Sequence, residues 1–305
     1  MPIEDEDTAE IPIPELTSTG FFAQQGAFKT VTIGARTHTG LRRSENQDHH
    51  AVVRRKRSQQ VLLSDVMLDP SYEAEEVAYL LMVADGMGGA AFGEFASRVV
   101  IQTAWELTAR AASWIMRLKS LDAQQVRERV QAYVSEFQRA LRTQSAVDSR
   151  LAGMGTTLTA AYILGRDVVV SHIGDSRAYL ARGETLKQIT EDQTLAQRLV
   201  DMGGNPEDVA RFHHVLSNCL STYDEFVEAA IFHIPIREGD RLLLCSDGLT
   251  NELPDSELAR ELAAKLSPQA TCDRLLQLAL DRGGRDNITV IVADIGARSD
   301  LPPSP

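Results

Sequence analysis

Several functions can be set aside from what this 305-residue chain holds little of. Cysteine occurs three times, at Cys219, Cys245 and Cys272, an odd number with no close pair. That excludes a disulfide framework and a zinc site of the C-x-x-C kind, and leaves three small buried apolar side chains as the expectation. No apolar run approaches the roughly 20 residues that cross a bilayer. The N-terminal stretch MPIEDEDTAEIPIPEL has no basic-then-apolar signal layout, so a cytoplasmic protein with no membrane segment is expected. Cations are outnumbered, 31 Lys and Arg against 43 Asp and Glu, for a net charge of −12, which argues against a broad nucleic-acid or anionic-lipid surface. One basic run, Arg54-Arg55-Lys56-Arg57, goes against that trend and reads as a solvated loop. A G-x-x-x-x-G-K-[ST] nucleotide loop is absent.

Residues 1–28 hold six acids and no Lys or Arg, with Pro12 and Pro14 interrupting the few apolar positions, so an acidic flexible tail is expected over 1–30. Residues 297–305 read as a C-terminal tail. Between them, strand-like runs lie near 30–38, 48–54, 78–84, 156–164, 167–173, 177–182, 228–234, 240–246 and 287–294, several joined by short turns. Apolar stripes predict long helices over about 91–118 (Ala96, Val99, Val100, Thr103, Ala104, Leu107, Ala111) and 123–143 (Val126, Val130, Tyr133, Val134, Phe137, Leu141). Asp122 with Gln125 offers the second a capping-box start, and shorter helices fit 192–202, 255–266 and 269–281. Short-turn strand pairs imply antiparallel sheets and an α+β class with helices covering sheet faces. Residues 55–77, polar and carrying Pro70, read as a loop insertion.

What the chain does hold is a repeated anomaly. In LLMVADGMGG an apolar run from Leu80 to Ala84 drives straight into Asp85 and a cluster of glycines. The pattern returns at Asp175 in VVVSHIGDSR and at Asp247 in RLLLCSDGLT, and it reverses in GGRDNITVIV, where Asp286 leads into the strand. One strand-end Asp usually caps a turn. Four of them, should the strands lie side by side, crowd one rim, and crowded carboxylates repel unless something positive stands between them. With neither Cys nor paired His in company, the donor set is all oxygen and suits Mg²⁺ or Mn²⁺. Two such ions clamp phosphoryl oxygens during in-line displacement. Phosphate needs a further cation, which GLRRSENQDHH supplies with Arg42 and Arg43 just ahead of another acid, Asp48.

These motifs, in order R-S-E-N-Q-D (43–48), D-G-M-G-G (85–89), G-M-G-T-T-L (153–158), H-I-G-D-S-R (172–177), I-T-E-D-Q-T-L (189–195), C-S-D-G-L-T (245–250) and G-G-R-D-N-I-T (283–289), span roughly 31–296. The set resembles the metal-dependent protein phosphatases of the PPM family, the type 2C serine/threonine phosphatases, in their compact bacterial form. The resemblance implies a four-layer α/β/β/α sandwich, two central antiparallel β-sheets flanked by pairs of helices, as a catalytic domain over 31–296. Residues 193–227 match a flap over the site. Asp85 matches the bridging metal ligand, and the Gly86 carbonyl, freed of a neighbouring Cβ, matches a ligand of the second ion. Asp247 and Asp286 match ligands of the first ion, Asp48 holds the second largely through water, and Asp175 matches the acid of a weaker third. Arg43 matches the phosphate-binding arginine, and Asn287 orients the last ligand. A metal-bridging hydroxide would then attack phosphorus directly, with the Ser or Thr alkoxide leaving.

The resemblance also implies phosphorylated protein substrates, a cognate Ser/Thr kinase, and a monomer with no nucleic-acid or membrane partner. The chain departs from the family pattern in three places. Met87 stands where many eukaryotic members have His, Gln47 where Glu is frequent, and Gln193 where His is frequent. His49, His50 and His172 lie near the motifs and read as structural. A cysteine phosphatase fails, because the residues six beyond each Cys are Glu225, Asn251 and Leu278 rather than Arg. The remaining alternative is a catalytically weak phosphoprotein-binding scaffold of the same fold.

Overall fold

The computed structural model describes residues 30–59, 61–67, 74–87, 92–110, 123–223 and 226–296. The two tails, Gly88 and Gly89 of the second motif, the far end of the first predicted helix and its neighbour's Asp122 cap lie outside the described residues. In chain order the strands are β1 (Val31–His38), β2 (Asp48–Gln59), β3 (Ala74–Met87), β4 (Gly155–Thr156), β5 (Leu158–Leu164) and β6 (Asp167–Ile173). They continue with β7 (Arg177–Arg182), β8 (Thr185–Gln188), β9 (Leu220–Ser221), β10 (Ala230–Pro235), β11 (Arg241–Cys245) and β12 (Ile288–Ile295). The helices are α1 (Phe92–Arg110), α2 (Ala123–Val147), α3 (Leu195–Asp201), α4 (Pro206–Val209), α5 (Asp247–Thr250), α6 (Asp255–Ala263) and α7 (Pro268–Asp281).

Every strand pairing is antiparallel. One sheet runs β1-β12-β11-β7-β8; the other runs β10-β6-β5-β3-β4-β9, with β2 on β3. Strands β5, β11 and β12 are buried along their whole length, as continuous apolar strands must be when both sheet faces are covered. Three separate cores show the four layers. Val100, Ala104, Val134 and Leu141 of α1 and α2 pack on Met82 and Leu158 of the larger sheet. Leu81, Val83 and Val170 meet Leu242, Leu244 and Ile291 between the sheets. Leu243, Val290 and Val292 on the outer face of the smaller sheet pack under Leu258 and Leu262 of α6 and Leu275 of α7. The predicted stripes on α1 and α2 therefore face a core, with Leu107, Val130 and Tyr133 partly buried at its margin.

The expected loop at 55–77 is overturned at both of its ends. Strands β2 and β3 form one long hairpin, in register from Asp48↔Asp85 out to Gln59↔Ala74. The basic run that reads as a solvated loop is strand whose Arg54 and Lys56 alternate outward while their backbone completes a ladder. The four-residue edge strand β8 is also absent from the sequence reading, which put only a turn ahead of it. The fold places the strand-end acids together: Asp85 ends the buried part of β3, Asp175 follows β6, Asp247 follows β11 and Asp286 precedes β12.

Candidate active site

The hairpin register sets Asp48 directly opposite Asp85, a like-charged pair that costs stability wherever nothing offsets it. Asp48 is buried. Its Oδ2 accepts hydrogen bonds from the hydroxyls of Ser246 and Thr289, each at 2.7 Å, so an acid carried by one sheet is held by the other. Its Oδ1 is buried with no hydrogen-bond partner. Across the seam, Thr157 fixes the Asp85 backbone: Asp85 N–H donates to Thr157 Oγ1 at 3.0 Å, and Thr157 N–H returns a bond to the Asp85 carbonyl at 2.9 Å. Asp247 opens α5 and accepts from Asn251 Nδ2 at 3.0 Å.

Two glycines are dictated by backbone contact. A Cβ on Gly86 would lie 2.1 Å from the Gly93 carbonyl oxygen and 2.7 Å from that of Gln47. The residue is thus glycine so that the start of α1 and the 39–48 loop can close on the end of β3. This is a tighter requirement than the carbonyl access read from the sequence. A Cβ on Gly248 would sit 1.9 Å from the Asn287 carbonyl oxygen, so glycine there lets α5 lie against the approach to β12.

Asp48, Asp85, Asp175, Asp247 and Asp286 form one electrostatic cluster, because burial and mutual repulsion raise four of them. Asp48 is pushed up to about 7, first by burial and then by Asp247 and Asp286. Asp175 rises to about 8, by burial and then by Asp247 and Asp192. Asp85 stands well above the usual carboxylate range through burial and all four of the others. Asp247 is raised by burial and Asp286. A cleft of about 390 Å³ brings together Arg43, Gln47, Asp85, Asp175, Asp247 and Asp286.

Arg43 does not point into open space. Its guanidinium grips Asp286 with both oxygens, Nε to Oδ1 at 2.8 Å and Nη2 to Oδ2 at 2.6 Å. Among the described residues no three His, Cys, Asp or Glu side chains stand in a ready-made metal cage. Arg43 claims one carboxylate, and the others repel. The residues nonetheless fit a hard divalent cation: the donors are carboxylate oxygens, and one of them, Asp48 Oδ1, is buried without a proton donor.

Asn287 meets Asp286 through its backbone and does further work with its side chain. Its side chain ties the 39–48 loop, donating to the Thr39 and Glu45 carbonyls at 2.9 Å each and accepting from Gln47 N–H at 2.8 Å. Asp286 is met by the Asn287 backbone N–H at 2.8 Å. Asn287 therefore aims the segment that carries Arg43. His172 is structural: buried, bonded to Thr159 and to the Glu191 carbonyl, it is pushed down to about 4 by burial. His49 bonds Ser97 rather than facing the cleft.

The sequence reading missed Ser246, Thr289 and Thr157, since Ser and Thr are too common in strands and turns to single out. It assigned no role to Gln193, which proves to be the neck of the 193–227 segment. Gln193 Oε1 accepts from Gly174 N–H and Asn218 Nδ2, each at 2.8 Å, and its backbone N–H bonds the Gly174 carbonyl at 2.8 Å. Also missed was His214, which reaches the cleft from that segment.

A protein phosphatase 2C family model matches residues 54–281. The serine/threonine phosphatase stp of Listeria monocytogenes is 31% identical over 262 residues, covering 85% of this chain and 94% of that protein. PstP of Mycobacterium tuberculosis, a serine/threonine protein phosphatase, is 39% identical over 221 residues, 72% of this chain but 40% of that longer protein. The solved catalytic domain of PstP in complex with two manganese ions superposes with a TM-score of 0.66 at 34% identity, covering 88% of this chain and 100% of that one. The chain belongs to the protein phosphatase 2C family.

Proposed function

We propose that this chain is a metal-dependent protein phosphatase that hydrolyses phosphoserine and phosphothreonine esters at the Asp85 cleft. The observation that carries the reading is the set of five acids from distant parts of the chain around one cleft, with a phosphate-type arginine beside them. Mn²⁺ or Mg²⁺ is the cofactor. Asp85, the Gly86 carbonyl, Asp247 and Asp286 would hold two ions, with Asp48 behind the second and Asp175 serving a weaker third. Bound there, such ions acidify water and neutralise phosphoryl charge.

The protein's own residues do the rest. Arg43 presents a planar fork that matches two phosphoryl oxygens as well as it matches Asp286, so binding substrate means exchanging one for the other. Asp286 keeps the Asn287 N–H through that exchange. Asn287 keeps the arginine loop in place, and Ser246 with Thr289 prevents Asp48 from turning away. The Gln193 neck positions the flap over the reacting phosphoryl group. A scaffold that binds phosphoproteins without turnover is not favoured, since no member of the acid set is missing. On the same reading the enzyme works as a monomer in a bacterial cytoplasm, opposite a serine/threonine kinase. Its support is that the related phosphatases are bacterial and that no described helix is long and apolar enough to cross a membrane.

The test is phosphate release from a phosphothreonine peptide. Manganese should stimulate it, and Asp247→Asn should abolish it. A wild-type protein that binds manganese and still leaves the peptide intact would overturn the proposal.

A further inference from the structure

We propose that His214 is a catalytic residue that gives a proton to the serine or threonine oxygen as it leaves phosphorus. The inference rests on the phosphatase reading above and adds the group that completes the reaction. An alkoxide is a poor leaving group, and its departure is helped by a positioned acid. Among the described residues lining the cleft there is no Lys, Tyr or Cys, and His214 is the one imidazole. Arg43 does not surrender its protons. The aspartates of the lining must stay charged to hold a cation, and the other acid there, Glu45, is exposed to solvent. The Thr157 hydroxyl is already engaged with Asp85 N–H and with the Ser176 hydroxyl. Imidazole is the side chain suited to giving a proton near neutral pH.

The placement of His214 fits the role. It lines the same cleft as Arg43, Asp85, Asp175, Asp247 and Asp286, and it lies near enough for its charge to act on the Asp247 carboxylate. Its ring makes no hydrogen bond or ion pair among the described residues, although its backbone is pinned on both sides. Val215 N–H bonds the Phe212 carbonyl at 3.1 Å, Leu195 N–H bonds the Val215 carbonyl at 2.6 Å, and Thr194 bridges Leu216. An exposed ring on anchored backbone, facing an acidic cleft, is free to meet a leaving group. In the step, the attacking water gives up one proton to solvent as its oxygen forms the new bond to phosphorus. The bond from phosphorus to the Ser or Thr oxygen breaks, and its electron pair stays with that oxygen. That oxygen takes the imidazolium proton, and the neutral ring is reprotonated from solvent.

The experiment compares two esters, a phosphothreonine peptide whose alkoxide needs a proton and 4-nitrophenyl phosphate whose phenolate leaves without one. In His214→Ala and His214→Gln, kcat on the peptide should fall about 10²-fold, while kcat on the aryl ester stays at the wild-type value. His213→Ala, a neighbouring exposed imidazole outside the cleft lining, should keep both rates. Manganese affinity measured by calorimetry should be the same in all four proteins. Equal losses on both esters, a raised KM for the peptide with kcat retained, or weakened manganese binding would each overturn the assignment. Wild-type protein inactive on both esters would overturn the phosphatase reading itself, a result separable from the others.

Discussion

Strands β11 and β12 lie side by side and carry charge at both ends, and the two ends are built on opposite plans. At one end Arg241 stands opposite Asp294 in the ladder, both buried. Arg241 donates to both Asp294 oxygens, to the Leu262 and Leu266 carbonyls and to the Thr271 hydroxyl, so the connection between α6 and α7 is bonded to the sheet. At the other end Asp247 and Asp286 open toward Asp85 and Asp175, and the one guanidinium among the described residues lining the cleft, Arg43, is itself 57% exposed. At the Arg241 end the buried charge is given both its counter-charge and its hydrogen bonds. At the open end Asp48 Oδ1 is left unpartnered, a cost that a bound cation would offset on the function proposed above.

The strongest way to break this contrast is to neutralise one charge at each end. Asp85→Asn should cost at least about 10³-fold in manganese-dependent turnover, because the cation clamp is lost. It should also abolish the manganese-induced rise in melting temperature. Without metal the same variant should melt no lower than wild type, since a repelled carboxylate has gone. Arg241→Ala should do the reverse, costing about 3–5 kcal/mol of stability by stranding Asp294. Manganese should still raise its melting point. Arg241→Met combined with Asp294→Leu should recover most of that loss. Calorimetry with and without manganese reads all of these. If Asp85→Asn destabilised the metal-free fold as Arg241→Ala does, the two ends would not differ in kind.

The open end should also respond to pH. Asp48 at about 7 and Asp175 at about 8, against an ordinary 3.8, keep protons in the folded state that the unfolded chain has already released. The folded state then binds more protons, so stability falls as pH rises through those values. His172, lowered from 6.5 to about 4, works oppositely, and its gain is complete once the pH passes 6.5. The clean window is therefore about pH 6.5 to 8. There the metal-free protein should lose melting temperature, and saturating manganese should flatten the slope. A metal-free melting temperature that rises across the window would contradict the cluster.

The acids were legible in the sequence because each breaks an apolar run beside glycine or asparagine, and no packing rule explains four such breaks. Helix faces were legible because α1 and α2 each bury one side. The hydroxyls that hold Asp48 were not, since they act from Ser246 and Thr289, some two hundred residues away in sequence and brought close only where the two sheets pack together. The outer part of the hairpin was hidden because Arg54 to Arg57 look like loop, and the strand is fixed by its partner rather than by its own composition. Gly86 was legible as necessary for its carbonyl, but the second requirement on it, the close approach of Gly93, was not.

The smallest effect tests whether the flap belongs with the open end or with the fixed scaffold. Gln193 joins them, since one side-chain oxygen accepts from both Gly174, next to Asp175, and Asn218 in the flap. Gln193→Ala removes that shared acceptor but keeps the backbone bond to the Gly174 carbonyl, so the neck loosens without coming apart. The expected loss is about 1 kcal/mol. If that loss is felt in the transition state, kcat/KM on a phosphothreonine peptide falls roughly fivefold while the metal-free melting temperature hardly moves. If it is felt in the fold, the melting temperature falls and kcat/KM holds. The first outcome makes the flap a working part of the acid cleft; the second makes Gln193 a scaffold residue of the same kind as Arg241.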